Sequence, residues 1–239
     1  MKIFAWSDGH GEFPHNWEKE EHVDVVIIAG DIVPLHFQRD PESSLNWFES
    51  EFFDYVRKVN ADKVILVAGN HDFMFEYFDK SFILSEIKMH SLDDKLIYLQ
   101  DDMYEYGGEK FYGTPWIANL RNWAFYAEDL YKKFSHIQTD TTILITHMPP
   151  HVMSVGSTYP FADFKGYPQE RNYGSFALAN RMTELPNLKL NFCGHVHTGT
   201  HGGVKHGNCT IYNVSIKNED YDNVYNQTYV DTEEKINFY

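Results

Sequence analysis

The chain has 239 residues, 43% of them apolar, which is enough to build a packed core and excludes a disordered polymer. Thirty-five acidic against 20 basic residues leave a formal charge of −15, so the surface repels polyphosphate backbones and long DNA or RNA is set aside as a partner. Two cysteines, Cys193 and Cys209, exclude a disulfide scaffold and a Cys-rich zinc module. No apolar run approaches the roughly 18 residues of a membrane helix, and the opening stretch reaches Asp8 too soon for a signal peptide, so a cytoplasmic protein without membrane contact is expected.

The first elements form a rhythm. Lys2 to Trp6 is a short apolar run closed by Ser7-Asp8-Gly9-His10, and Val23 to Ala29 is a second, closed by Gly30-Asp31. Short runs rich in Val and Ile and closed by small or polar residues read as buried strands. Ser43 to Val59 carries Leu45, Phe48, Phe52, Tyr55, Val56 and Val59 at mostly three- and four-residue spacing, which predicts a helix capped by Ser43 or Ser44. A third strand, Lys63 to Ala68, ends in Gly69-Asn70-His71-Asp72, and Phe73 to Met89 is helix-length. Leu96 to Leu99, Met103 to Tyr106 and Lys110 to Gly113 read as short strands, with a turn at Gly107-Gly108.

Asn122 to Phe134 is a weaker helical stretch, followed by a strand from Thr142 to Ile145 that ends in Thr146-His147. His151 to Tyr173 reads as a long irregular loop, a kind that is often functional. Leu188 to Cys193 is a further strand, closed by Gly194-His195-Val196-His197, and Cys209 to Ser215 and Tyr225 to Val230 complete the set. Strands alternating with helices, interrupted by a strand-rich middle, predict an α/β fold with a central β-sandwich of mixed sheets flanked by helices. Without repeat or linker, residues 1–239 are expected to form one domain.

Ligands collect beyond the carboxyl ends of strands in α/β sheets. The strand ends carry Asp8, His10, Asp31, Asn70, His71, His147, His195 and His197, a set of oxygen and nitrogen donors suited to divalent metals. The remaining histidines, His151 among them, read as surface residues or neighbours of that set. Trp116, Trp123 and Tyr126 read as core packing rather than base-stacking groups. Asn119, Arg171 and Tyr173 lie in loops able to wall a pocket.

The ordered blocks Asp8-Gly9-His10, Gly30-Asp31, Gly69-Asn70-His71-Asp72, Thr146-His147 and Gly194-His195-Val196-His197 resemble the calcineurin-like metallophosphoesterases. Tyr98-Leu99-Gln100-Asp101, Tyr112-Gly113-Thr114-Pro115-Trp116 and Thr146-His147-Met148-Pro149-Pro150 are similar to the branch of brain-expressed metallophosphoesterase-domain proteins and their bacterial relatives. The resemblance implies a four-layer αββα fold and two divalent transition metals, Mn, Fe, Zn, Ni or Co. It assigns Asp8, His10, Asp31 and His197 to one metal and Asp31, Asn70, His147 and His195 to the other. It further implies hydrolysis of a small phosphate ester by a hydroxide shared between the metals, with His71 as general acid and Asp72 orienting the His71 ring and keeping it protonated. A phosphodiester such as a cyclic nucleotide is the expected substrate, with a phosphomonoester or a non-catalytic scaffold as the alternatives.

Overall fold

The computed structural model describes residues 1–19, 21–152, 157–162 and 168–233. The first strands are β1 (Lys2–Trp6), β2 (Val23–Ala29) and β3 (Ala61–Val67). They run parallel, and β3 pairs in parallel with β4 (Leu96–Tyr98). The last strand, β13 (Thr228–Asp231), closes this sheet antiparallel to β1, giving the order β13-β1-β2-β3-β4. The second sheet contains β5 (Asp102–Tyr106), β6 (Glu109–Thr114), β7 (Ile143–Thr146), β10 (Leu190–Cys193), β11 (Val204–His206) and β12 (Cys209–Asn213), in the order β11-β12-β10-β7-β6-β5. β8 (Ser157–Ala162) and β9 (Pro168–Asn172) form a separate antiparallel ribbon.

Alternation along the strands explains the layers. Ile3, Ala5, Val25, Ile27, Ile65 and Val67 meet Phe111, Ile143, Ile145, Leu190 and Phe192 of the other sheet in one buried cluster. The opposite face of the first sheet, with Phe4, Trp6, Val26, Ile28, Val64 and Leu66, packs on an aromatic helical layer. That layer is α1 (Pro41–Trp47), a π-helical turn (Phe48–Phe52), α2 (Phe53–Lys58), α3 (Met74–Tyr77) and α4 (Lys80–Met89). The outer face of the second sheet, including Tyr112, Leu144 and Ile211, packs on Leu130 and Phe134 of α5 (Leu130–Phe134) and Leu178 and Met182 of α6 (Phe176–Thr183). The result is the expected αββα stack. Strands buried on both faces need the near-continuous Val/Ile runs seen in the sequence.

Several local expectations change. The cap of the first helix is Asp40, whose carboxylate accepts the Ser43 N–H, because Pro41 takes the first helical position; neither Ser43 nor Ser44 is the cap. Asn122 to Phe134 is helical only over α5, because tertiary bonds capture its first half. The Ala124 N–H donates to Asn70 O, the Phe125 N–H donates to Glu76 Oε1, and Phe125 sits at φ 56°. The stretch from His151 to Tyr173 contains the β8–β9 ribbon rather than only irregular chain; residues 153–156 and 163–167, and the Arg171 side chain, lie outside the described residues. Residues 234–239 of the tail lie outside them as well. Cys193 and Cys209 are buried free thiols. Among the described residues no helix is long and apolar enough to cross a membrane.

Candidate metal centre

β1, β2 and β3 of one sheet and β7 and β10 of the other deliver their carboxyl ends to one edge of the sandwich. The seam there is stitched by backbone bonds: Asp8 N–H to Gly30 O at 2.9 Å, Ser7 N–H to Val214 O at 2.9 Å and Gly194 N–H to His147 O at 3.0 Å. Glycines make the close approach. A Cβ on Gly69 would strike the Asp31 carboxylate and stand 2.7 Å from His147 Cε1, and one on Gly194 would strike Ser7 Oγ and the Asp8 carboxylate. The chain turns sharply after each strand, and Asp8, His10, Asp31 and His195 all adopt positive φ, between 46° and 68°. They are four of the ten non-glycine residues in that region among the described residues, so backbone strain concentrates at this edge.

All eight donor residues expected from the sequence converge there, and seven of them are buried; His195 is half-buried. Asn70 Oδ1 lies 2.9 Å from His147 Nε2 and 2.7 Å from His195 Nδ1, while Asp31 Oδ2 lies 3.2 Å from His147 Nε2. Asp8 Oδ1 stands 3.5 Å from His197 Nε2, and Asp8 accepts the His195 N–H at 3.1 Å. Ligand atoms of Asp8, His10 and His197, of Asp8, Asp31 and His147, and of His10, Asp31 and His71 lie within 4.8 Å of one another in each trio. The ring orientations are fixed from behind. His147 Nδ1 donates to Ala29 O at 2.8 Å and His197 Nδ1 to Asn218 O at 2.9 Å, which turns each Nε2 inward.

The electrostatics follow from burial and opposed charge. Burial raises Asp8 and Asp31, but His197 beside Asp8, and His147 and His71 beside Asp31, more than reverse this and hold both carboxylates below the usual range. Burial lowers His147 and His197, and the carboxylates overturn it: Asp31 lifts His147 to about 9 and Asp8 lifts His197 to about 9. Burial dominates at His10, taken down to about 3, and at His195, taken down to about 4.

The donor set fits cations. Both ring nitrogens of His10 are buried and have no hydrogen-bond partner among the described residues, a costly state unless a ligand is intended. His147 and His195 both aim a nitrogen at the same amide oxygen of Asn70, where a positive charge between them resolves the crowding. Imidazole, carboxylate and amide donors without thiolate suit borderline transition metals.

The expected partnership of Asp72 with the His71 ring is not what the structure contains. Asp72 turns away and accepts backbone N–H groups of Asp31 and Gly69 at 2.8 Å and of Ile32 and Val33 at 2.9 Å. It clamps the loop that carries Asp31, which explains a buried carboxylate directly behind the centre. Burial and the neighbouring Asp31 charge push it up to about 7, against the donated N–H bonds. The partner of His71 is Gln38, whose Oε1 lies 2.5 Å from Nδ1; His71 Nε2 lies 3.9 Å from Asp31 Oδ2. Burial moves His71 below its ordinary value rather than above it.

A cavity of about 240 Å³ opens over the centre, lined by Asp31, Asn70, His71, His195 and His197 at its floor and by Leu120, Trp123, Glu219 and Tyr221 on its walls. Trp123 packs against the second apolar cluster, as expected, but it is only half-buried and also presents its ring to the cavity, 4.3 Å from that of His71. Asn119 and Tyr173 do not line this cavity, and His151 stacks on Phe176, 3.7 Å away between ring centroids. Gln38, Glu219 and Tyr221 were not anticipated. Gln38 sits in a turn without periodicity, and the other two sit in a polar tail segment, so no local pattern marks them.

The family described as calcineurin-like phosphoesterase matches residues 1–199. Among curated sequences, the human "Metallophosphoesterase domain-containing protein 1" is 28% identical over 215 residues, covering 81% of this chain and 60% of its own length. The "UPF0046 protein T07D4.2" of Caenorhabditis elegans is 26% identical over 231 residues, covering 82% of this chain and 53% of its own. The chain thus spans little more than half the length of these relatives. Among solved structures, the phosphopantetheinyl hydrolase PptH of Mycobacterium tuberculosis shares the fold, with a TM-score of 0.51 at 17% identity over 90% of this chain and 89% of that one.

Proposed function

The chain belongs to the calcineurin-like phosphoesterase family, and from that premise we propose that it is a dinuclear-metal-dependent phosphoesterase acting on a small phosphate ester, a phosphodiester by preference and a cyclic nucleotide as the natural type. Asp8, His10, Asp31 and His197 would hold one cation and Asp31, Asn70, His147 and His195 the other, with Asp31 common to both. The observation that carries this reading is the convergence of these seven donors on one edge, with the buried nitrogens of His10 unpartnered. Two divalent cations with two aspartates leave about two positive charges, which attract a phosphate ester despite the acidic surface. When bound, such ions supply Lewis-acid charge and activate water near neutral pH.

The remaining work falls to the protein. Gln38 Oε1 accepts from His71 Nδ1 and so directs Nε2 toward the cavity. There Nε2 of the doubly protonated ring would give its proton to the departing ester oxygen, and the Asp31 carboxylate 3.9 Å away works against the burial that lowers the ring below its ordinary value. Asp72 keeps the Asp31 loop from relaxing as charge enters the site. The test is a panel of cyclic nucleotides, nucleotides, sugar phosphates and an activated aryl phosphodiester, run on protein reconstituted in turn with Mn, Fe, Zn, Ni and Co. Turnover of diesters above monoesters supports the reading; no turnover of any ester with any of the five metals would refute it.

A further inference from the structure

The hairpin at Lys217–Asn223 breaks a local rule. The pairing of Lys217 with Asn223 leaves a tight loop in which the Tyr221 N–H donates to Asn218 O at 3.0 Å, and Tyr221 sits at φ 63°. A loop of this shape takes glycine or asparagine at its left-handed position, and a tyrosine there is strained. The strain is held in place from several directions. Asn218 Oδ1 accepts the Asp220 and Asp222 N–H groups, and the buried Lys217 ammonium donates to Tyr221 O at 2.9 Å while pairing with Glu12 at 3.0 Å. The same Asn218 whose side chain shapes the loop gives its carbonyl to His197 Nδ1.

What this scaffold presents is the Tyr221 ring, 38% exposed on the cavity wall. Its centroid lies 5.0 Å from that of His10 and 5.3 Å from that of His197, but 6.5 Å from that of His71. Trp123 is placed the other way, at 4.3 Å from His71. If His71 marks the side on which the leaving oxygen departs, Trp123 flanks the departing group, and Tyr221 stands on the side where the retained group of a diester lies. We propose that Tyr221 is a specificity-determining residue that contacts an aromatic ring carried by the ester group that stays on phosphorus: the base of a cyclic nucleotide, whose two ester oxygens share one sugar, or the aryl group of an open diester. The assignment rests on the phosphoesterase reading above. It accounts for a strained, part-exposed tyrosine at this place, since strain that persists in a fold clusters where it serves binding.

Two esters that share a leaving group isolate the effect: bis(p-nitrophenyl) phosphate, whose retained group is aromatic, and methyl p-nitrophenyl phosphate, whose retained group is not. The readout is the ratio of their kcat/KM values on manganese-loaded protein. An aromatic contact predicts a ratio that falls about 5- to 10-fold in Tyr221→Gly and Tyr221→Ala and is kept in Tyr221→Phe. An unchanged ratio in the ring-deleted variants overturns the proposal, as does an equal fall in Tyr221→Phe. Thermal melting of the same proteins reads the strain: Tyr221→Gly melts above Tyr221→Ala, because both lack the ring and only glycine is free at this φ. The reverse order removes the strain argument. Wild-type protein that hydrolyses neither ester would instead bring down the parent reading, a distinct outcome from active enzyme with an unchanged ratio.

Discussion

The floor and the rim of the cavity are built by different means. The floor, from Asp8 to His197, sits on five strand ends and is wired from behind by Ala29 O, Asn218 O and the Asp72 clamp. The rim, with Leu120, Trp123, Glu219 and Tyr221, comes from loops and is open to solvent at Glu219 and Tyr221. Rigid strand ends hold a charge-dense site to tight geometry, while loops vary without disturbing it. The difference suits the proposals made above, with reaction class set by the floor and substrate choice by the rim, and substitutions should separate the two.

The largest effect is expected at the shared floor position. Asp31→Asn removes the carboxylate common to both proposed sites, and metal content measured on the purified protein should fall for both ions. The loss of turnover should exceed the roughly 10–100-fold cost of losing a partner outside the ligand set. Next comes His71→Ala, which should lower kcat about 10²- to 10⁴-fold while both metals stay bound. Retained turnover on esters with poor leaving groups would remove His71 from the chemistry. Asp72→Asn tests the clamp rather than the acid. It exchanges a carboxyl group that accepts four backbone N–H groups for an amide whose NH2 opposes some of them, and denaturant unfolding should show a loss of about 2–3 kcal/mol. The smallest effect belongs to Gln38→Ala, about 10-fold in kcat with KM and metal content unchanged, since it only frees the His71 ring.

Those positions also mark how far the sequence could be read. The β1, β2, β3, β7 and β10 runs and the donors behind them are legible because two-sided burial demands continuous apolar residues, and because the turns after β1, β2, β3 and β10 carry glycine. The layered fold follows from the same runs. The role that the resemblance implied for Asp72 fails because the chain turns and sends its carboxylate to the Asp31 loop. Gln38 and Tyr221 reach the centre only through tertiary folding of polar segments, which carry no apolar period. Phe125 shows the converse: a segment that looks helical is unwound because Glu76 and Asn70 capture its backbone. Local pattern reports which residues are buried, and long-range hydrogen bonds decide what they touch.

The central claim is that one edge of the sandwich holds two cations through Asp31. Titration of metal-free protein with manganese, followed by calorimetry, measures it directly. The account predicts two ions per chain in the wild type and loss of both in Asp31→Asn; a chain that takes up no ion, or one whose uptake is indifferent to Asp31, would contradict it.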